Sequence, residues 1–273
     1  MPAMTSALAE VPANTRLPAG FHRLIAAQFF SALADNALLI VGIALLQAQG
    51  QPGWLAPMLK FCATLSYVLL APFVGPLADA VPKARLMAWM NAPKLLALLG
   101  LMAGAPALGC FALLVCGAAA YAPAKYGLAT ELVPAHQLVL ANAWIEVSVV
   151  CAVLLGTVLG GLLVSQAAQH GAALGLAWAL GWTAPHPLWS ALAALLAVYG
   201  AASLLNLGLP DSGARYAGAG RHPALLLRQF ISANRLLWQD RRGGLSLAVT
   251  TLFCGVGGAC SLPCCAGPST CRA

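Results

Sequence analysis

Asp35 and Asn36 stand side by side in SALADNALLIVGIALLQ (residues 31–47), a stretch that is otherwise almost entirely hydrocarbon. Lys94, Lys125 and Glu146 lie in three further apolar stretches. A charge in hydrocarbon costs at least about 2.5–3.5 kcal/mol on insertion scales, so such groups face a cavity or a partner. An aspartate and several lysines converging on a wet cavity suit a substrate that carries both an amine and a phosphate, because each headgroup charge then meets its opposite. The plainer alternative is that these charges only neutralise one another and hold helix register.

The elements that carry these residues are membrane spans. The 273 residues are 61% hydrophobic and only 8% charged, with a mean hydropathy of +0.84, which excludes a water-soluble domain. Stretches of about 20 apolar residues, enough to cross a bilayer, fall near 24–47, 57–79, 86–104, 107–131, 138–165 and 188–209, and a seventh starts near 245. The expected fold is an all-α integral membrane protein: a tail over 1–23, a six-helix bundle over 24–209, a basic linker over 210–244, and an incomplete seventh span with a cysteine-rich tail over 245–273. Residues 1–20 hold Glu10 and three prolines and do not read as a secretory signal.

Positive charge orients the spans, because lysine and arginine in short loops stay in the cytoplasm. Arg16 and Arg23 precede the first span, and Lys83 and Arg85 lie between the second and third. Arg215, Arg221, Arg228, Arg235, Arg241 and Arg242 follow the sixth. All of these fall on one side, while the opposite loops (48–56, 105–106 and 166–187) hold no lysine or arginine. The N-terminus is therefore expected in the cytosol. The apolar stretch 171–182 is kept as part of an outer connection, since making it a span would export six arginines. Topology accounts for the net charge of +7, which implies no nucleic acid.

On this topology Asp35 lies about 16 Å into its span, near mid-membrane, and Lys125 and Glu146 both lie roughly 9–12 Å deep. The latter two are placed to form an ion pair, with Glu131 competing for the same lysine and Lys60 snorkelling to the outer interface. Pro93 and Pro123, beside or near the lysines, permit kinks of the kind found at transporter sites. Gly156 and Gly160 in GTVLGG have the small-xxx-small spacing of a close helix contact. In the linker, Leu226, Phe230, Leu237 and Trp238 fall roughly on one helical face. This reads as an interfacial helix meeting anionic lipid headgroups, or equally as a solvated linker helix.

No H-x-x-x-x-D, G-x-S-x-G, G-x-x-x-x-G-K-[ST] or H-E-x-x-H motif occurs, and His22, His136, His170, His186 and His222 are scattered, so no enzyme or cofactor is expected. Cys260, Cys264, Cys265 and Cys271 lack the paired spacing of a metal site.

Two groups of motifs carry a family likeness. GPLADAVPKAR (75–85) resembles the loop between spans two and three of major facilitator superfamily transporters, with Gly75, Asp79, Lys83 and Arg85 in matching places. AQFFSALADNALLIVGIALLQAQ, LLAPFVGPLAD, GAAAYAPAKYGLATELV and LLGTVLGGLL resemble the bacterial lysophospholipid transporter (LplT) family over about residues 20–255. The Asp-Asn pair and the Y-x-P-A-K-Y-G stretch from Tyr121 are its distinctive parts. The resemblance implies the N-terminal bundle of an inner-membrane protein that flips lysophosphatidylethanolamine and lysophosphatidylglycerol to the inner leaflet. A cytosolic-face acyltransferase/acyl-carrier-protein synthetase then reacylates them. It implies that Asp35 and Asn36 line the headgroup cavity, with Lys125 and Glu131 as polar or gating partners. Together with the buried charges and the loop motif, the candidate substrate-binding residues are Asp35, Asn36, Lys94, Tyr121, Lys125 and Glu146, and the candidate gating residues Asp79, Lys83, Arg85 and Glu131.

The chain departs from that family at its end, where GACSLPCCAGPSTCRA follows TTLFCGVG, and Cys254 stands where the family has tryptophan. The composition shift reads as a reading-frame change followed by a premature stop. On that reading the chain alone transports poorly, because alternating access needs two bundles. The competing readings are a major facilitator exporter of another amphipathic molecule and a non-transporting remnant.

Overall fold

The computed structural model describes residues 17–171, 188–210, 223–240 and 243–252. Among these residues all regular structure is helical. α1 spans Ala19–Ala48, α2 Leu55–Ala80, α3 Lys83–Met102, α4 Ala107–Leu132, α5 Leu138–Val164 and α6 Trp189–Leu207. They are followed by α7, Pro223–Gln239, and the short α8, Gly243–Leu252. The stretch 172–187 and the tail 253–273, with Cys254, Cys260, Cys264, Cys265 and Cys271, lie outside the described residues.

Local sequence explains where the helices begin and end. Pro18, Pro82 and Pro106 stand immediately before α1, α3 and α4, where their missing N–H breaks no helical bond. α1 and α3 each end on a glycine with positive φ, Gly50 at 66° and Gly104 at 82°. There the following amide closes back on the helix: Gln51 N donates to Leu46 O at 3.0 Å and Ala105 N to Gly100 O at 2.9 Å. These are Schellman closures, which need the left-handed conformation that glycine adopts without strain. Residues 75–85, expected as a loop, are instead mostly helical. Gly75–Ala80 complete α2, Lys83 opens α3, and only Val81 and Pro82 join them.

Among the described residues five elements are long and apolar enough to cross a membrane: α1, α2, α4, α6, and α5 with the 3-10 turn before it. The chain is an all-α, multi-pass membrane protein. α3 is the one of the six expected crossings that falls below that hydropathy, because it carries Lys83, Arg85, Asn91 and Lys94. Its 20 residues still reach about 30 Å at 1.5 Å per residue. Lys83, Asn91 and Lys94 are buried, and α3 packs on α4 and α6. Trp89, Leu96 and Leu99 of α3 are exposed, so it is the face carrying these polar groups that is covered by protein, where they are tolerated as they are not against lipid.

Around the bundle the packing order is α5, α1, α6, α3, α4, α2, and the two ends of that order, α2 and α5, have no substantial contact with each other. The α1–α5 crossing is close because of the GTVLGG stretch. A Cβ at Gly156 would lie 2.5 Å from Leu33 O, and one at Gly160 2.9 Å from Ala37 O.

The interior divides into two apolar clusters. One gathers Phe21, Leu24, Met87, Tyr121, Leu128 and Ile145 at the end where α1 and α3 begin. The other gathers Leu38, Val41, Leu98, Phe111, Leu195 and Tyr199 at the opposite end. Between them lies a belt of buried polar side chains that includes Gln28, Ser31, Lys94 and Asn206.

Candidate functional site: a charged belt between two chambers

On α1, Gln28, Ser31 and Asp35 are spaced three and four residues apart, so they share one helical face. Lys94 of α3 meets that face. Its ammonium donates to Asp35 Oδ2 at 2.7 Å, to Asp35 Oδ1 at 3.0 Å and to Ser31 Oγ at 2.8 Å. An ammonium has three protons, and here each has an acceptor. The Lys94 side chain is only 2% exposed, whereas that of Asp35 remains 27% exposed.

Tyr199 of α6 completes the cluster by donating its hydroxyl to Asp35 Oδ1 at 2.6 Å. Lys94 also lies between two aromatic rings, 5.4 Å from the Tyr121 centroid and 5.8 Å from the Tyr199 centroid, which adds cation–π attraction in a dry setting. Tyr121 in turn donates to Asn206 Oδ1 at 3.2 Å. Lower on the same face of α1, the Gln28 amide donates to Ser148 Oγ and, at 3.2 Å, to Ile145 O of α5.

Two chambers open on this belt. The larger, about 360 Å³, lies between α1, α2 and α4 and is walled mainly by Leu39, Leu59, Phe111, Leu114 and Val115, with Lys60 and Thr64 on its α2 side. The smaller, about 150 Å³, is polar, walled by Gln28, Ser31, Lys94, Tyr121 and Lys125. Asp35, Tyr67 and Ala118 line both. An apolar space joined to a charged one through a single carboxylate is a site matched to an amphiphile.

Two curated proteins bear on which amphiphile. The lysophospholipid transporters LplT of Yersinia pestis (strain Pestoides F) and of Yersinia pseudotuberculosis (serotype O:3, strain YPIII) are each 40% identical to this chain over 235 residues, 86% of the chain and 53% of the relative. Over those residues the chain is similar to the LplT transporters. It spans about half the length of the curated relatives it matches. No family model matches it.

In this LplT-like chain the residues singled out by sequence separate into groups. Asp35, Lys94, Tyr121 and Lys125 converge on the polar chamber. Asn36 does not: its amide donates to Ala32 O of its own helix at 2.8 Å, and its Cβ lies against Gly156 of α5. The expected Lys125–Glu146 ion pair is not formed. Lys125 lies over the Tyr126 ring, 4.4 Å from its centroid, and exposed Glu146 accepts the Tyr126 hydroxyl at 2.8 Å. Tyr126 thus stands between the two charges.

Glu131 does not compete for Lys125 either. It pairs with Lys83, both side chains being nearly buried. Lys83 reaches Glu131 across Gly127, where a Cβ would meet its Cε at 2.5 Å. Asp79 and Arg85 are exposed near the same end of the bundle.

Sequence reading missed Ser31, Tyr67 and Tyr199. A signal existed for each. Ser31 lies one turn before Asp35 on the same face, and a tyrosine inside an apolar span needs a partner for its hydroxyl.

Proposed function

We propose that the chain binds lysophospholipids, lysophosphatidylethanolamine and lysophosphatidylglycerol among them, and serves their transfer from the outer to the inner leaflet of the bacterial inner membrane. A cytosolic-face acyltransferase/acyl-carrier-protein synthetase then restores the second chain. The observation that carries this reading is the pair of chambers meeting at Asp35, apolar on one side and charged on the other. Within the polar chamber Asp35 and Lys94 cancel and Lys125 adds one positive charge, a balance that favours a phosphate-bearing headgroup. The name carried by the Yersinia relatives points to the same class of lipid.

Asp35, Lys94, Tyr121 and Lys125 form the headgroup site, and the Lys83–Glu131 pair, with Asp79 and Arg85 near it, acts as a gate at the cytosolic end. That orientation rests on the basic loops and agrees with Arg23 donating to Gly208 O at 3.2 Å, which ties the start of α1 to the end of α6. The exposed apolar side chains Phe230, Leu237 and Trp238 of α7, with Arg228 and Arg235 on the same helix, suit the anionic surface of the inner leaflet.

The test is uptake of labelled lysophosphatidylethanolamine by cells lacking their own lysophospholipid uptake. The cells carry either this chain or this chain joined in frame to the remaining half of a relative, both first shown to insert. Transport by the joined form, lost with Asp35→Ala, supports the reading. Correct insertion without uptake by either form overturns it.

A further inference from the structure

We propose that Asp35 and Tyr67 together read the free glycerol hydroxyl of a one-chain phospholipid, and that Tyr67 is the residue that excludes two-chain lipids. This inference rests on the lysophospholipid reading and adds the means of discrimination. The geometry behind it is the junction of the chambers. Asp35 from α1, Tyr67 from α2 and Ala118 from α4 line both the apolar and the polar space, so whatever joins a ligand's chain to its charged head must pass between them.

The hydrogen-bond inventory at that junction leaves one acceptor and one hydroxyl for a ligand. A carboxylate offers about four acceptor positions. On Asp35, Oδ1 takes Lys94 and Tyr199, and Oδ2 takes Lys94 alone, so one position on Oδ2 remains beside the chambers. Tyr67 is 43% exposed, and its hydroxyl makes no hydrogen bond among the described residues. A phenol both donates and accepts.

A lysophospholipid has its phosphate and its single chain on either side of a glycerol carrying one free hydroxyl. With the chain in the 360 Å³ chamber and the phosphate beside Lys125, the glycerol falls between Asp35 and Tyr67. Its hydroxyl then donates to Oδ2 and accepts from Tyr67. A two-chain lipid has an ester oxygen at that place, with no proton to give, and leaves the carboxylate position unpaired. A site built to bond a hydroxyl rejects the analogue that lacks it, because its own polar groups go unsatisfied. The second chain must also enter a gap that the Tyr67 ring already narrows.

The experiment measures binding of three lipids to the whole chain in nanodiscs. They are palmitoyl lysophosphatidylethanolamine, the same molecule with its free glycerol hydroxyl replaced by hydrogen, and dipalmitoyl phosphatidylethanolamine. The expected result is that the first binds at least about tenfold more tightly than the second, in line with one hydrogen bond to a charged group. Tyr67→Phe should narrow that ratio, and Tyr67→Ala should raise the relative affinity of the two-chain lipid. Equal binding of the first two lipids by the unmodified chain overturns the proposal and leaves the lysophospholipid reading standing. Failure of all three to bind overturns both. The comparison of the first two lipids needs no variant, so a misfolded substitution does not remove the test.

Discussion

The Tyr199 hydroxyl and the Asp35 carboxylate, 164 positions apart in the chain, meet at 2.6 Å. With Lys94 they join α1, α3 and α6 in the middle of the bundle through one carboxylate. The cluster is neutral as a whole, and of its members only Asp35 lines both chambers.

Removing Lys94 alone should be costly. Lys94→Met leaves Asp35 without its counter-charge, and breaking one partner of a buried pair costs about 3–5 kcal/mol, somewhat less here because Asp35 is part-exposed. Thermal unfolding in detergent should show a large fall for Lys94→Met and a smaller one for Lys94→Met combined with Asp35→Asn. A double variant as unstable as the sum of the single ones would mean that the two residues are not coupled.

Tyr199→Phe removes one hydroxyl and keeps the ring. Its loss should cost about 1.5–3 kcal/mol, the range for a bond to a charged group, and should shrink when Asp35 is already Asn. A double-mutant cycle on unfolding midpoints measures the difference, and a Tyr199→Phe effect of equal size in both backgrounds would argue against the bond.

The α1–α5 crossing predicts a contrast between neighbouring glycines. Gly156→Ala and Gly160→Ala place a methyl against backbone oxygens of α1, whereas Gly161 has nothing within 4 Å of a built Cβ. Overpacking at the first two should destabilise by about 1–3 kcal/mol, and Gly161→Ala should be close to neutral or slightly stabilising. Equal effects at all three positions would show that the helices do not cross as closely as described.

At the other end, Glu131→Gln removes the carboxylate that pairs with Lys83, whose side chain is only 5% exposed. The expected destabilisation is about 3–5 kcal/mol. Lys83→Met should relieve it in the double variant, as read from unfolding in detergent. Conversely, Glu146→Gln touches an exposed carboxylate held by Tyr126 and should change stability by less than about 1 kcal/mol.

Sequence alone determined the elements and the presence of buried charge. Apolar length marks a crossing because lipid offers no hydrogen bonds to a backbone, and five helices among the described residues meet that criterion. The same cost of charge in hydrocarbon marked Asp35, Lys94 and Lys125 as residues that must face something. What each one faces was decided by the tertiary structure, since partners 59 to 164 positions apart depend on helix rotation and on which helices are neighbours. Estimates of depth along separate helices allowed Lys125 to reach Glu146, because depth says nothing about rotation; the Tyr126 side chain stands between them. The same is true of Asn36, adjacent to Asp35 in sequence but about 100° around the helix from it, so that one side chain faces the chambers and the other the α5 crossing. The joining of an apolar and a charged space at Asp35 exists only once α1, α2 and α4 are packed, because no single helix contains both walls.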